Sequence, residues 1–506
     1  MKIFFIYPSA ESQLGFNYGV AHIASVLRNA GHKVVFWQLC EELAPLPAEK
    51  EFIARLTDEK PDILAFSIVT NQWAYTQTLA RWAKNNFSFP TAAGGIHTLA
   101  GAGEILKTGL FDYVFRGECE EAFPEFVEKL ARGENIEDVR NLAFIKNGEI
   151  KINPVRPLPD IEKLPQKDYE SMDFQKMIDA KHGWVGLMAS RGCPFSCTYC
   201  FNHVMVKSYR DDLKCSFSQL NYIRRFGVEN VIDEIKYLLK NYSNINMFIF
   251  DDDLFTFDKQ YVKEFCRAYK KISKIPFVVN AHVGFFDEES ARELADANCK
   301  IVKFGVESGS PNVRDKILNR HMSNENIIRA INTVENFGMH SSVFLIIGFP
   351  HETEKDLYET IKLMSAAKPG RFRWTYFFPF PGTQAYQISL DGGYINFEKM
   401  EKLKNFTDRS CLEFSPEHDL LLKKIGCIMP WFVNAYSDLP AAKFYSGKIK
   451  EILTMDEDQW NKISKNLRHE DKKYSLEFSG KGMSHYAIKY NRFMGVISDY
   501  FLHDAQ

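Results

Sequence analysis

The sequence lacks an excess of charge of either sign. Its 63 Lys and Arg against 65 Asp and Glu leave a formal net charge of −2 over 506 residues, so there is no basic footprint of the kind that marks a nucleic-acid partner. It also lacks a long hydrophobic run. A membrane-spanning helix needs about 18 or more consecutive apolar residues, and the nearest approach, "LLLKKIGCIMPWFV" (420–433), is broken by Lys423, Lys424 and Pro430. No integral membrane segment is therefore expected. The opening "MKIFFIYPSAESQ" soon turns polar and carries no cleavage-site pattern, which speaks against a signal peptide and for a cytoplasmic protein. No internal repeat and no low-complexity tract is present. Ten cysteines in a chain of this length do not make a disulfide scaffold. Cys215, Cys266, Cys299, Cys411 and Cys427 have no spacing suited to an auxiliary cluster and read as structural. What remains is ordinary globular composition, 45% hydrophobic and 25% charged, with length enough for two or three domains.

Two stretches of alternating strand-like and helix-like segments follow one another. "KIFFI" (2–6), "KVVFW" (33–37), "DILAFS" (62–67), "TAAGG" (91–95) and "DYVFRG" (112–117) read as short buried strands. Amphipathic stretches such as 18–31, closing on Gly31, lie between them. That pattern predicts an α/β, doubly wound (Rossmann-like) parallel sheet over 1–145, with any ligand at the carboxyl ends of its strands. Residues 146–183, with Pro154, Pro157, Pro159 and Pro165, read as a linker. From 184 to 394 a second alternation, with strands at 185–190, 247–250, 277–281, 301–306, 341–347 and 373–378, predicts a partial (β/α)6 TIM-type barrel. Residues 395–506 lose the rhythm and are expected to form a mainly helical region related to the substrate. Within it Tyr486, Tyr490, Phe493, Ile497 and Phe501 suggest a helical stripe over 485–501 packed on the body of the protein. His485 and Tyr486 are candidates to line a pocket.

The segment "RGCPFSCTYCFNH" (191–203) places Cys193, Cys197 and Cys200 within eight residues, just after the first strand of the second alternation. Four thiolates normally hold a four-iron cluster, so three would leave one iron open to a substrate. Zinc is the alternative, because His203 could complete a Cys3His structural site, although such sites usually draw ligands from two separated pairs.

C-x-x-x-C-x-x-C with an aromatic residue, Tyr199, before the last cysteine resembles the signature of radical S-adenosylmethionine enzymes. Further segments agree in order: "FIFDDDLFT" (248–256), "KFGVESGS" (303–310), "LIIGFPHET" (345–353) and "FFPFPGT" (377–383). The resemblance implies a [4Fe-4S] cluster on Cys193, Cys197 and Cys200. It implies S-adenosylmethionine beside Tyr199, Glu307 (ribose), Ile347 and Gly348 (adenine) and Phe378. Asp251 is a candidate ligand from the acidic run 251–253, of which one member could instead cap the following helix or turn. His282, where many relatives carry arginine, is either a cofactor or substrate contact or a satisfied surface histidine.

The first domain is similar to the cobalamin-binding domain fused ahead of the radical domain in one large subfamily. "LGFNYGVAHIASVLRNAGHKV" (14–34), "FSIVTNQW" (66–73), "AAGGIHT" (92–98) and "FRGECEEAFPEFVEKL" (115–130) carry this likeness. It implies cobalamin contacts at Leu14, Gly15, Tyr18, Gly19, Ser67, Thr70, Gly94, Gly95, His97, Gly117 and Glu118. The loop after the first strand holds no histidine to place under the cobalt, and Cys119 stands where the family has a second glycine.

By resemblance, the chain is expected to cleave S-adenosylmethionine to a 5′-deoxyadenosyl radical, with an external donor such as flavodoxin or ferredoxin supplying the electron. Cobalamin-dependent methyl transfer to an unactivated carbon of a small-molecule or natural-product substrate is the leading expectation. Cyclisation, rearrangement or hydration on the same architecture is the second. A non-enzymatic, zinc-stabilised binding protein is the third, of another class.

Overall fold

The computed structural model describes residues 1–403, 405–491 and 495–500. The chain divides into two compact units. One holds Met1–Phe195, Cys200–Ile249 and Phe380–Thr383, and the other holds Ser196–Tyr199, Phe250–Pro379 and the chain from Gln384. These limits differ from the expected domain boundaries, since the first unit takes in the start of the second alternation.

The first unit contains a seven-stranded sheet of β1 (Lys2–Pro8), β2 (Lys33–Leu39), β3 (Ile63–Ser67), β4 (Thr91–Gly94), β5 (Tyr113–Phe115), β6 (Leu142–Lys146) and β7 (Glu149–Ile152), in the order β2-β1-β3-β4-β5-β6-β7. The first five run parallel. β1 and β3 are nearly continuous apolar runs because helices cover both faces, as parallel sheets require. Phe4, Ile6, Leu64, Phe66, Leu79 and Val114 form the centre of one buried face. The first helix, Tyr18–Asn29, starts where Asn17 accepts a hydrogen bond from the Val20 N–H. β1 sits between β2 and β3, so the chain reverses its winding there and opens a crevice at the strands' carboxyl ends.

The stretch expected as a linker is more than a tether. Asn147 and Gly148, with φ of 52° and 81°, make a two-residue turn that folds β7 back on β6, and both strands extend the sheet antiparallel. Two short 3-10 turns and the helix Phe174–Ala180 follow.

The six expected barrel strands are β8 (Trp184–Leu187), β9 (Met247–Phe250), β10 (Phe277–Ala281), β11 (Cys299–Glu307), β12 (His340–Ile347) and β13 (Arg371–Tyr376). β8 and nearly all of β9 lie in the first unit. In the second, β10, β11, β12 and β13 run parallel in that order, with helices between them. This is the partial barrel the alternation predicts. Along β13, Phe372, Trp374 and Tyr376 are buried toward the helix Pro416–Tyr436, where Trp374 Nε1 donates to the Gly426 carbonyl at 3.0 Å and the Tyr376 hydroxyl to the Leu422 carbonyl at 3.2 Å.

The C-terminal region is mainly helical, but the expected helix over 485–501 is instead a hairpin. β14 (Tyr486–Asn491) and β15 (Gly495–Tyr500) pair antiparallel, and β15 pairs antiparallel with β13. Tyr486, Ile488 and Tyr490 satisfy a period of two as well as the four-residue spacing of a helix, and their β-branched and aromatic character decides for the strand. Phe493 and Phe501 lie outside the described residues. His485 and Tyr486 are wholly buried core residues rather than pocket lining. The Asn434 amide holds the strand by both of its ends, accepting from Tyr486 N at 2.8 Å and donating to Tyr486 O at 2.7 Å. Asn434→Ala leaves both backbone groups buried without partners, at about 1–3 kcal/mol each. A clear drop in the thermal midpoint is expected, and an unchanged midpoint would show that the hairpin does not depend on this bond pair.

Candidate active site

The carboxyl ends of the N-terminal sheet are tied together by side chains of three loops. Asn17 Nδ2 donates to Ser67 Oγ at 3.0 Å. The buried Gln72 amide spans the crevice, accepting from Ala10 N at 2.9 Å and donating to Ala10 O at 2.9 Å and Ser12 Oγ at 3.0 Å. His97 Nδ1 lies 3.3 Å from Thr70 Oγ1, and its ring packs on Trp73. Burial holds the His97 imidazole down at about 4, so it is neutral at physiological pH. Leu14 is buried in the core, and the Tyr18 hydroxyl reaches the Leu187 carbonyl at 3.4 Å.

The glycines expected at cobalamin separate into two groups. At Gly95 (φ 94°) a Cβ would stand 2.6 Å from Ile68 N, and at Gly117 (φ 74°) it would stand 2.4 Å from the Tyr209 hydroxyl. The chain's own packing demands glycine at both. A Cβ at Gly15 would meet nothing within 4 Å, at Gly19 only Asn17 Oδ1 at 3.9 Å, and at Gly94 only Phe66 O at 4.0 Å. Space is left open at these three, which suits close approach of a broad planar ligand.

Glu118 has partners within the chain. Its carboxylate bridges the buried Arg224 and the partly buried Arg191, with Oε2 2.8 Å from Arg191 Nη1 and 3.0 Å from Arg224 Nη1, and Oε1 2.5 Å from Arg224 Nη2. Burial pushes its pKa up, but Arg191 and Arg224 outweigh that and hold it below the usual carboxylate range. The neighbouring Cys119 is buried with its thiol pKa pushed well up, first by burial and then by Glu120 and Glu118, so it is an inert thiol.

Of the three cysteines, Cys193 and Cys200 belong to the first unit and Cys197 to the second. Cys200 is the residue ahead of the helix Phe201–Leu213, and its sulfur accepts from Asn202 Nδ2 at 3.7 Å. Cys197 is buried and accepts from Arg320 Nη1 at 3.5 Å. Donors aimed at sulfur suit thiolate ligands, so the donor set fits an iron–sulfur cluster. Among the described residues no three His, Cys, Asp or Glu side chains gather as ligands of a single ion would.

In the second unit Glu307 ends β11 with φ of 66°, beside a register shift against β12. Glu307 is half-buried, and desolvation of its carboxyl raises its pKa against the opposing pull of Arg320, a hydrogen bond with Tyr199, and Arg373. Burial works against the charge of Arg320, but Tyr199, Glu307 and Cys197 hold its pKa above the ordinary value. Tyr199, Glu307, Arg320 and Cys197 are thus one connected group. His282 is only 5% exposed, which removes the surface-histidine reading. Its Nδ1 accepts from Gly284 N at 3.1 Å, and burial, then Arg320, lowers its pKa to about 4. Asp251 is exposed and Asp252 buried, and the following helix is capped by Asp258, whose carboxylate accepts from Tyr261 N. Ile347 is buried, Gly348 has φ of 77°, and Phe378 packs on Phe406 with ring centroids 4.9 Å apart.

Residues 187–364 match the model of the Radical SAM superfamily, and residues 12–127 match that of the B12 binding domain. The two models between them cover more than half of the chain. The protein is a radical S-adenosylmethionine enzyme. More narrowly, it belongs to the branch that carries a cobalamin-binding domain, and its cofactors are a [4Fe-4S] cluster, S-adenosylmethionine and cobalamin. It is 29% identical over 432 residues to an uncharacterized methyltransferase of Pyrococcus horikoshii, covering 80% of this chain and 89% of the relative. It is 25% identical over 406 residues to the anaerobic magnesium-protoporphyrin IX monomethyl ester cyclase of Rubrivivax gelatinosus (76% and 70% covered). It is 24% identical over 463 residues to the cytidylyl-2-hydroxyethylphosphonate methyltransferase of Streptomyces wedmorensis (79% and 83%). The fold is similar to that of the cobalamin-dependent radical enzyme OxsB, solved with aqua-cobalamin and S-adenosylmethionine (TM-score 0.64, 15% identity, 93% and 75% covered). It is also similar to that of the methyltransferase TsrM of Kitasatospora setae, solved with cobalamin and a [4Fe-4S] cluster (TM-score 0.62, 14% identity, 77% and 78% covered). Among the described residues no helix is long and apolar enough to cross a membrane.

Sequence reasoning missed Arg224 and Arg320, which lie outside the motif segments, and Asn17, Gln72 and Arg191, which lie inside them but whose partners are distant in sequence. It also missed Glu352, whose place in "GFPHET" gave a signal. The Glu352 carboxyl accepts from Gly348 N at 2.6 Å and Phe349 N at 3.3 Å through Oε2, while Oε1 is buried with no hydrogen-bond partner. Burial raises its pKa to about 8. A carboxyl raised this far stabilises the fold fully below the ordinary value of 4.5, and that contribution is lost as pH rises through 8. Glu352→Gln keeps the acceptor and cannot ionise. Its thermal midpoint should match the wild type near pH 4 and exceed it increasingly as pH rises, levelling off above pH 8, and parallel midpoint–pH curves would show that Glu352 is not raised.

The glycines give a second expectation. Gly117→Ala should lower the midpoint sharply through the Tyr209 clash. Gly15→Ala should leave stability unchanged while weakening cobalamin binding, read by absorbance titration. Equal stability losses in both variants would remove the distinction between packing and ligand glycines.

Proposed function

We propose that the enzyme transfers a methyl group to an unactivated carbon of a small-molecule substrate, using cobalamin as the methyl carrier. The observation that carries this reading is the union in one chain of a B12-binding domain with the three-cysteine loop. The methyltransferase names of relatives spanning most of the chain support it. When bound, the cluster and S-adenosylmethionine supply a radical able to take hydrogen from carbon, and cobalamin supplies the methyl group. Cys193, Cys197 and Cys200 hold the cluster, and the remaining iron position is open to S-adenosylmethionine. Tyr199 and Glu307, steadied by Arg320, meet its polar parts, with Gly348, Ile347 and Phe378 toward the adenine and Asp251 and His282 nearby. Gly15, Gly19 and Gly94 admit cobalamin to the crevice at the carboxyl ends of β1, β3 and β4, where Ser67, Thr70 and His97 are held by their loops. A flavodoxin or ferredoxin serves as electron donor.

A second reading, ring closure on the same architecture, is favoured by the cyclase among the relatives. The two separate in a single experiment on protein purified without oxygen, reconstituted, and given S-adenosylmethionine and a reductant. Methyl transfer predicts about four irons per chain, one cobalamin, and both 5′-deoxyadenosine and S-adenosylhomocysteine. Cyclisation predicts 5′-deoxyadenosine alone. Cys193→Ala, Cys197→Ala and Cys200→Ala should each lose the cluster and keep cobalamin. Zinc in place of iron would overturn both readings.

A further inference from the structure

Glu118 lies in the segment that family resemblance assigns to cobalamin, yet its side chain is spent within the protein. Arg191 and Arg224 face each other on a short antiparallel bridge in which Ser190–Arg191 pairs with Arg224–Arg225. Two neighbouring guanidiniums largely shielded from water repel, and each loses most of its hydration, so anions built against the pair stabilise it. Glu118 supplies both oxygens to the pair, and Glu120, itself only 3% exposed in its side chain, adds Oε1 at 2.6 Å from Arg191 Nη1. Arg224 also donates to the Pro159 carbonyl at 2.9 Å. Glu118 is fixed from its own backbone as well, since its N–H donates to the Tyr209 hydroxyl at 2.8 Å and its carbonyl accepts from Asn141 Nδ2 at 3.3 Å.

The bridge leads to both cysteines of the first unit. Arg191 precedes Cys193 by two residues, and the intervening Gly192 (φ 92°) lies so close to the Tyr222 carbonyl that a Cβ would stand 2.3 Å from it. The Tyr222 hydroxyl bonds Asn202 Oδ1, and Asn202 Nδ2 in turn donates to the Cys200 sulfur at 3.7 Å. The segment from Tyr222 to Arg225 therefore braces the backbone before Cys193 and the side chain beside Cys200, and Glu118 anchors that segment through Arg224.

We infer that Glu118, assisted by Glu120, is a positioning residue for the iron–sulfur cluster, setting Cys193 and Cys200 through the Arg191–Arg224 bridge and Tyr222. This rests on the proposal that these cysteines hold iron. It assigns the acidic residues after β5 to the cluster rather than to cobalamin.

The test compares wild type, Glu118→Gln, Glu120→Gln and Tyr222→Phe as full-length, anaerobically reconstituted protein. It measures iron and sulfide content, iron loss to a chelator, the electron paramagnetic resonance spectrum of the reduced cluster with and without S-adenosylmethionine, cobalamin affinity, and thermal midpoint. Glu118→Gln should weaken the apparent hold on the cluster about 10- to 100-fold, the loss usual when a partner behind a metal ligand is removed. It should also alter the spectrum and leave cobalamin affinity as in wild type. Glu120→Gln should act in the same direction to a smaller extent. Tyr222→Phe removes only one hydroxyl, so its altered spectrum at an unchanged midpoint would separate positioning from loss of fold, even if Glu118→Gln fails to fold. Weakened cobalamin binding with a wild-type spectrum in Glu118→Gln, or a wild-type spectrum in Tyr222→Phe, overturns the inference. Wild-type protein without iron, or Cys193→Ala that keeps its cluster, strikes instead at the proposed function.

Discussion

Arg191 and Arg224 are paired on adjacent short strands and share one carboxylate where little water reaches, and much of what surrounds them in the first unit answers to that fact. Neither guanidinium can give up its proton, so the repulsion is met by geometry alone. Glu118 divides its oxygens between them, Glu120 adds a further carboxylate, and Tyr209 and Asn141 hold the backbone that presents Glu118. Gly117 is glycine because Tyr209 lies where its Cβ would be. A chain of such requirements runs from the end of β5 to the start of the cysteine loop.

The second unit meets a related problem with fewer parts. Glu307 sits half-buried in a left-handed backbone conformation at the end of β11, with Arg320 and Tyr199 interacting with its carboxyl. Because Arg320 also donates to Cys197, the carboxyl and the thiol share one cation. Charge brought to the cysteine alters the balance at the glutamate, and the reverse holds, since in a low-dielectric setting such neighbours feel each other strongly.

Relatives of this chain carry the names of a methyltransferase acting on a cytidylyl phosphonate and of a porphyrin-ester cyclase. Such divergence on one architecture is expected when the cofactors carry the demanding chemistry and the protein contributes binding, orientation and exclusion of water. The solved structures, at 14–15% identity, speak to the fold and not to the substrate. The C-terminal region combines helices with the β14–β15 hairpin, which Asn434 and Asp471 hold through its backbone.

The sequence by itself determined the two alternations of strand and helix, and all eleven strands read from them are present, because buried parallel strands are short apolar runs whose signal is local. It also determined the cysteine loop, whose ligands lie within eight residues of one another. The hairpin of β6 and β7 was legible in Asn147-Gly148 and was passed over among the prolines that follow. Tyr486 and Tyr490 misled because a spacing of four fits both a helix and every second strand residue. Tertiary structure alone decided which glycines serve packing and which leave room, that His282 is buried, and that Glu118 faces two arginines. The partners of Glu118 stand 73 and 106 residues away in the chain. Periodicity and motif spacing report only on neighbours along the backbone, whereas burial and ion pairing are set by which distant segments the fold brings together.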